Sequence, residues 1–328
     1  MIKPFLYLVF LVSFTSTAQN LVPNGSFEEY SQCPDSREAS DGQFERCTGW
    51  WYPTNYSVGS PDYFNVCNNS GNGIVGVPNN EFGYQHAFDG NAYVGLGAFE
   101  YSLNSNEVFA VELISAKLFD KLKPCHSYHF SMRINLADRA THGISKLGVL
   151  IAQDSLYINT LADWESIEPT WANSSSLFDT SEWISLEFDY LANGGERYVT
   201  IGYFGEYDET ELIFNDSLGI NIYNSYFPFY YIDSVSLFEV EEVENCLPNL
   251  PNVFTPNNDF SNDSYSIEGL DVAELIVFNR WGNVIAILNE DHPTWDGMFE
   301  GKPCTEGSYF YRAKFGNTYL TGFIELIR

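Results

Sequence analysis

Apolar and polar residues alternate in several stretches of the chain, as they do in β-strands that bury one face. The alternation is strict in residues 128–135 and 184–190, which predicts half-buried strands there. Similar patterns predict strands near 108–118, 147–151, 198–204, 230–238, 274–279, 309–315 and 319–327. Helical periodicity is scarce, and Gly, Asn, Asp and Pro clusters separate the strands. The pattern predicts an all-β protein of two-layer architecture.

One segment interrupts this pattern of strands. An acidic run at residues 239–244 is followed by Pro248 and Pro251, and such a sequence is typical of a linker rather than a central strand. We therefore predict a first domain at 19–238, a linker at 239–250 and a second domain at 251–328. Both domains are long enough to bury a core of their own.

The first 18 residues have the composition of a secretory signal peptide. Lys3 precedes an apolar run, and Ser16, Thr17 and Ala18 follow it, which predicts cleavage after Ala18. No other stretch is long and apolar enough to be a transmembrane segment, so none is expected in the mature chain. The six cysteines, an even number in a chain expected to be exported, indicate disulfides.

Charge and composition exclude several classes of partner. The 328 residues include 15 Lys and Arg against 44 Asp and Glu, a formal charge of −29. Such a surface repels phosphate backbones and anionic lipids, so neither nucleic acid nor a membrane surface is expected as a partner. Since 45% of the residues are hydrophobic, an acidic disordered chain is excluded as well.

An ordered series of motifs covers the second domain. Its residues are Pro251, Asn252, Phe254, Thr255, Pro256, Asn257, Asp259, Asn279, Arg280, Trp281, Gly282, Trp295, Asp296, Gly297 and Tyr309. This series resembles the gliding-motility-associated C-terminal domain of Bacteroidetes proteins, which is the type B sorting domain of the type IX secretion system. The resemblance implies an Ig-like β-sandwich that the outer-membrane translocon recognises after Sec export through the periplasm, and hence a protein outside the cell or on its outer surface.

Two further expectations concern the second domain. Trp281 and Trp295 lie beside turn residues, so both are expected to be core aromatics. Cys246 and Cys304 both fall in this small domain and are expected to form a disulfide.

Three segments at the two ends of the first domain form a further pattern, residues 20–30, 49–51 and 231–237. They resemble a galactose-binding-like jelly roll, the fold of many carbohydrate-binding modules. The resemblance implies glycan binding, and a structural Ca²⁺ that ties the first strand to the last through Glu28 and Asp233. The alternative is that Glu28 is solvated and Asp233 caps a turn.

Aromatic residues in loops are the candidates for stacking on a sugar. Trp50, Trp51, Tyr52 and Tyr56 form one cluster in a stretch rich in Pro, Asn and Ser, although at least one of the two tryptophans is expected to point into the core. Trp164 and Trp171 are a second candidate platform.

The sequence contains no recognised catalytic motif, so a non-catalytic extracellular protein that binds glycan is expected. Two alternatives remain open. One is a polysaccharide hydrolase, which needs two carboxyl groups at a defined separation; the acidic run at residues 206–211 is more simply a solvated loop. The other is a structural adhesin without a small ligand.

Overall fold

A computed structural model describes residues 19–38, 42–54, 59–70, 73–205, 212–214, 225–243, 246, 250–258, 262–270, 272–316 and 318–328. In these residues regular structure is almost entirely β-strand. Within them, no helix is long and apolar enough to cross a bilayer.

The strands of the N-terminal part are, in chain order, β1 (Trp50–Trp51), β2 (Asp62–Asn65), β3 (Asn79–Asn80), β4 (Gly83–Tyr84), β5 (Ala92–Gly97), β6 (Glu100–Ser102), β7 (Glu107–Ala110), β8 (Leu113–Lys117), β9 (His126–Leu136), β10 (His142–Ile144), β11 (Gly148–Ala152), β12 (Trp171–Ala172), β13 (Ile184–Leu191), β14 (Tyr198–Gly202), β15 (Leu212–Phe214), β16 (Ser225–Tyr226) and β17 (Phe229–Glu242). Short 3₁₀ helices lie at Phe44–Arg46 and Val66–Ser70, and α1 spans Leu161–Glu165.

Two five-stranded antiparallel sheets form the N-terminal sandwich. The first has the order β1-β8-β14-β11-β12 and the second the order β13-β9-β17-β5-β2. The side chains that alternate inward from both sheets, including Phe130, Ile134, Val149 and Ile201, are buried between them. The all-β sandwich predicted from the alternation is therefore confirmed, and the strict pattern at 128–135 lies within β9.

The long strand β17 corrects the start of the predicted linker. It continues to Glu242, which lies opposite His126 of β9. One of its acidic residues is held by side chains beside the strand: Glu239 contacts Lys123 Nζ at 2.9 Å and His126 Nδ1 at 2.8 Å. The acidic run therefore forms the last part of β17 and is not a linker up to Glu242.

The disulfides differ from the predicted pairing. Cys33 is bonded to Cys67 and Cys125 to Cys246, whereas Cys47 and Cys304 are free thiols. The expected Cys246–Cys304 bond is wrong because the chain after β17 stays beside the N-terminal sandwich, where the Val243 N–H donates to the Cys125 carbonyl at 2.8 Å. The bond fixes the start of the connection to the second domain.

The C-terminal part is a second, smaller sandwich. Its strands are β18 (Val253–Phe254), β19 (Tyr265–Ser266), β20 (Glu274–Phe278), β21 (Val284–Leu288), β22 (Thr294–Trp295), β23 (Met298–Phe299), β24 (Lys302–Pro303), β25 (Gly307–Phe315) and β26 (Thr318–Leu326). The main sheet has the order β18-β26-β25-β20-β21, with β18 parallel to β26. Tyr265 and Trp295, from the β19-β22 ladder, belong to the same buried core as Phe254, Tyr309 and Ile324 of the main sheet.

Candidate functional site

Trp50 belongs to the core. Its ring centroid lies 5.0 Å from that of Phe27, and its indole N–H points to the carbonyls of Pro23 and Asn24, both at 3.1 Å. A buried ring offers no face to a sugar, so the glycan-binding role predicted for Trp50 is wrong. The expectation that one tryptophan of the pair points inward is confirmed.

Trp51 points the other way, because successive strand residues face opposite sides. Its half-buried ring packs edge-to-face with Tyr198 at 6.3 Å, and Lys117 Nζ lies 5.9 Å from the Tyr198 ring centroid. Tyr52 is half-buried with its edge against Phe44. Tyr56 lies outside the described residues. Of the predicted cluster, Trp51 therefore remains as an outer platform, and Tyr198 joins it through the pairing of β14 with β8.

The second predicted platform is wrong. Trp164 is fully buried, and its indole N–H donates to the Tyr203 carbonyl at 2.7 Å. Trp171 stacks on Phe188 with the ring centroids 4.8 Å apart. Trp164, from α1, therefore belongs to the core, and Trp171 lies half-buried in β12, the edge strand of the first sheet.

Glu28 and Asp233 hold the same loop. The backbone N–H groups of Phe88 and Asp89 donate to Asp233 Oδ2 at 2.7 and 3.0 Å, and the N–H of Asn91 donates to Glu28 Oε1 at 2.6 Å. Burial raises the pKa of Asp233 to about 7. Both carboxylates therefore contact this segment through hydrogen bonds.

These hydrogen bonds bear on the calcium site expected from the resemblance. The Asp233 oxygens accept three backbone N–H groups, including that of Ser234, whereas a calcium ion needs six to eight oxygen ligands. Among the described residues, no group of three or more His, Cys, Asp or Glu side chains is placed to hold a metal. Calcium stays a prediction, and the contacts assign the two carboxylates to the loop.

A cleft that the sequence did not predict lies beside the β3-β4 hairpin, which folds over the outer face of the second sheet. The Phe82 ring stacks on Phe229 with the centroids 3.8 Å apart, and Phe227 lies 6.1 Å from Phe82. The cleft has a volume of about 220 Å³. It is lined by Arg37, Glu81, Phe82, Glu100, Arg139, Thr141 and Phe227.

Charged groups in the cleft hold one another in place. Arg37 Nε lies 3.0 Å from Glu81 Oε2, and Arg139 donates to the Glu81 carbonyl at 2.7 Å. Thr141 accepts a hydrogen bond from the Phe227 N–H. Because these contacts already orient the side chains, less conformational entropy would be lost when a ligand binds.

Two more carboxyls lie behind the cleft. Glu112 accepts hydrogen bonds from the N–H groups of Gly97 and Ser60, and burial raises its pKa to about 7. Burial and the charge of Glu112 together hold the pKa of Asp62 well above its usual value. Burial also raises the pKa of Glu100. These groups therefore carry less negative charge near neutral pH than their number suggests.

No sequence signal identified this cleft, because its lining residues come from widely separated segments and form no motif. A larger cleft, of about 550 Å³, lies between the two sandwiches, but its lining includes no aromatic side chain.

The C-terminal motif residues divide into core and surface. Trp295 packs against Phe254 and Tyr309, with ring centroids 5.1 Å away in both cases. Trp281 is 77% exposed, so its predicted place in the core is wrong. It lies at the tip of the β20-β21 hairpin, where the turn directs its side chain outward. Asp259 lies outside the described residues.

Residues 248–326 match the family CHU_C, whose description is type IX secretion signal domain. The C-terminal sandwich carries this secretion signal. The secretion-signal domain (residues 248–326) indicates export to the cell surface or the extracellular space. No curated protein matches the chain.

Several solved structures resemble the chain at low identity. The enzymatically active domain of tailspike protein 4 of bacteriophage CBA120 is 12% identical with a TM-score of 0.32, and the match covers 67% of this chain but 21% of the tailspike. TmCBM61 in complex with β-1,4-galactotriose is 13% identical with a TM-score of 0.30, covering 68% and 100%. The K1 cleaved adhesin domain of Lys-gingipain from Porphyromonas gingivalis W83 is 12% identical with a TM-score of 0.31, covering 64% and 97%. Similarity of this size carries no argument about function.

Proposed function

We propose that the N-terminal sandwich binds an extracellular glycan in the cleft around Phe82 and Phe227, and that the secretion-signal domain brings it to the outside of the cell. The observation that supports glycan binding is the composition of the cleft, where two aromatic side chains lie among guanidinium, carboxylate and hydroxyl groups. Aromatic rings offer an apolar surface to sugar C–H groups, and the polar groups bond to hydroxyls.

The size of the cleft limits what it accepts. Pockets for drug-sized ligands measure about 300–1,000 Å³, whereas this cleft measures about 220 Å³. We infer that it holds a single sugar ring, with the rest of the chain outside.

Its charges favour a neutral sugar. The Arg37 guanidinium is already paired with the Glu81 carboxylate, which leaves less positive charge in the cleft to attract a uronic acid. Neutral hydroxyls can instead accept from Arg139 and donate to Glu100.

A glycan array with the wild-type N-terminal sandwich and full chain tests this proposal. Arg139→Met and Glu100→Ala should each reduce binding at least ten-fold, because each removes hydrogen bonds to the ligand, worth about 1.4 kcal/mol for a factor of ten. Tyr157→Ser, at an exposed residue away from the cleft, is the matched control. Loss of binding in Trp51→Ala and Tyr198→Ala instead would move the site to the outer platform. Absence of glycan binding, with cell attachment that free sugars do not inhibit, would favour the adhesin.

One observation favours a hydrolase as the second candidate. A carboxyl with a pKa near 7 beside another carboxyl is what a general acid requires, and Glu112 has this pKa with Glu100 nearby. Against it, both Glu112 oxygens accept backbone N–H groups, which gives the side chain a structural role. We therefore infer a binding protein, and release of reducing sugar that Glu112→Gln abolishes would show an enzyme instead.

The proposed export role is tested by deleting residues 245–328 in a bacterium with a type IX system. The truncated chain should accumulate in the periplasm. Normal secretion of the truncated chain would contradict the proposal.

A further inference from the structure

The outer face of the main sheet in the secretion-signal domain is lined by aromatic rings. Alternation in β25 and β26 turns Tyr309 and Ile324 into the core, and it leaves Phe310 and Phe323 opposite one another on the outer face, each 48% exposed. Phe278 of β20 pairs with Phe310 from the other side. The three rings, which we call the aromatic row (Phe278, Phe310 and Phe323), cross three neighbouring strands.

Apolar side chains extend this row toward the edge of the sheet. Val284 of β21 lies opposite Phe278, and Ile287 lies opposite Ile276. Val284 and Ile287 are both exposed.

Trp281 lies in the turn that follows Phe278, at the tip of the β20-β21 hairpin. Asn279 Oδ1 accepts the N–H groups of Trp281 and Asn283, both at 3.0 Å, and Gly282 has a φ of +80°. Glycine reaches this left-handed conformation without strain. The Arg280 guanidinium lies 5.5 Å from the Trp281 ring centroid.

Sheet stability alone does not explain these residues. Cross-strand aromatic pairs contribute about 0.2–1 kcal/mol each, which accounts for the contacts along the aromatic row. It does not account for Trp281, which lies in a turn and is 77% exposed. Soluble proteins rarely expose apolar side chains in contiguous patches of this kind unless something covers them.

The charge around the aromatic row indicates what covers it. Residues 250–328 contain 11 Asp and Glu and only five basic residues. Three of the five are Arg280 in the turn and Arg312 and Lys314 on the outer side of β25. Two carboxylates share this face, Glu274 opposite Lys314 and Glu325 opposite Ser308. Three cations therefore outnumber two carboxylates around the apolar surface, although acidic residues outnumber basic ones in the domain as a whole. This local excess of positive charge suits a partner with carboxylates around an apolar patch. A second copy of the chain would bring its own formal charge of −29 and would be repelled.

We propose that the aromatic row and Trp281 form the surface on which a protein of the export machinery docks, and that this partner presents an apolar patch bordered by carboxylates. The inference rests on the proposed export function. The buried motif residues Phe254 and Trp295 hold the fold and cannot be contacted from outside. What a partner can recognise is the exposed face, and the aromatic row is its apolar centre.

The test measures the amount of full-length protein at the cell surface and in the medium. Phe310→Thr/Phe323→Thr and Trp281→Ala should each reduce export at least ten-fold. The melting temperature should stay unchanged in Trp281→Ala and fall by only a few degrees in Phe310→Thr/Phe323→Thr, which loses cross-strand pairs but stays folded. Phe299→Ser is the matched control, since Phe299 is exposed in the same domain on the β23-β24 ladder, and it should export normally. Arg312→Glu should reduce export, whereas Lys302→Glu on that ladder should not.

Several outcomes would overturn the proposal. Normal export of the folded Phe310→Thr/Phe323→Thr protein would do so, and if deletion of residues 245–328 still blocks export, the export function itself would stand. A dimer in solution, or binding to phosphatidylglycerol vesicles, that these variants abolish while export stays normal would assign the face to a second copy or to lipid.

Discussion

Glu28 and Asp233, which come from the beginning and the end of the N-terminal domain in sequence, both accept hydrogen bonds from the loop at residues 88–91. Glu28 accepts hydrogen bonds from Asn91, and Asp233 accepts them from Phe88 and Asp89. The loop between them contains Gly90, whose φ is +72°. The first and last parts of the sandwich are thereby joined through a segment that belongs to neither.

Gly90→Ala should lower the free energy of unfolding by more than the cost of placing alanine at a positive φ. A Cβ at Gly90 would collide with the Glu28 carboxyl group, and alanine in the left-handed region costs about 1–2 kcal/mol besides. Gly73→Ala is a matched control, because Gly73 has the same φ of +72° and nothing within 4 Å of an added Cβ. Urea unfolding should give the lower free energy of unfolding for Gly90→Ala, and equal values for the two variants would contradict the contact with Glu28.

Removing divalent cations should leave this loop intact. The oxygens of Asp233 already accept backbone N–H groups, so no ion is needed to satisfy them. We expect the same melting temperature in EDTA and in millimolar calcium. A rise of several degrees with calcium that EDTA reverses would restore the calcium site expected from the resemblance.

Stability should decrease as the pH rises from about 4 to 8. Burial raises the pKa of Asp233 and of Glu112 to about 7, from ordinary values of 3.8 and 4.5, and raises that of Asp62 as well. The folded state therefore binds more protons than the unfolded chain in this range, and the free energy of unfolding falls with pH. A difference of one in pKa corresponds to about 1.4 kcal/mol.

His142 and Glu239 act in the opposite direction, because burial lowers the pKa of His142 and the contact with Lys123 lowers that of Glu239. They are outnumbered by the four carboxyls with a raised pKa, since burial raises the pKa of Glu100 as well. Urea unfolding at pH 5 and pH 8 measures the net effect, and Asp233→Asn should flatten the profile. Higher stability at pH 8 than at pH 5 would show that these carboxyls ionise freely in the folded protein.

Alternation along the chain was enough to predict the sandwich, since the inward residues of β9 and β13 follow a period of two that no other structure shares. It did not show which of Trp50 and Trp51 is buried, because the face of β1 that is covered depends on the strands that pack around it. The cleft was beyond prediction, since Arg37, Phe82 and Phe227 meet only once the β3-β4 hairpin has folded over the second sheet. Trp281 was wrongly assigned to the core because a tryptophan next to a turn glycine can point either into the core or into solvent, and the sequence is the same in both cases.

The Cys125–Cys246 disulfide should stabilise the protein, whereas the free thiol of Cys304 should contribute little to stability. It closes a segment of 121 residues, for which the chain-entropy treatment gives about 4–5 kcal/mol. Cys125→Ser/Cys246→Ser should lower the melting temperature and loosen the connection to the secretion-signal domain. Cys304→Ser, at a free thiol, should change it little. Peptide mapping without reduction should find Cys125 joined to Cys246, and a Cys246–Cys304 peptide would contradict the pairing.

The two motif tryptophans of the secretion-signal domain should respond oppositely to truncation. Trp295 is buried between Phe254 and Tyr309, and its indole N–H donates to the Met298 carbonyl at 3.0 Å, so Trp295→Ala leaves a cavity and should cost about 3–5 kcal/mol. Trp281→Ala removes an exposed ring and should change the free energy of unfolding by less than about 0.5 kcal/mol. Calorimetry on the full chain would show a lower transition for Trp295→Ala alone. Export should fail in both variants, in Trp295→Ala because the domain unfolds and in Trp281→Ala although the domain stays folded. A large loss of stability in Trp281→Ala would instead mean that its ring packs against the rest of the domain.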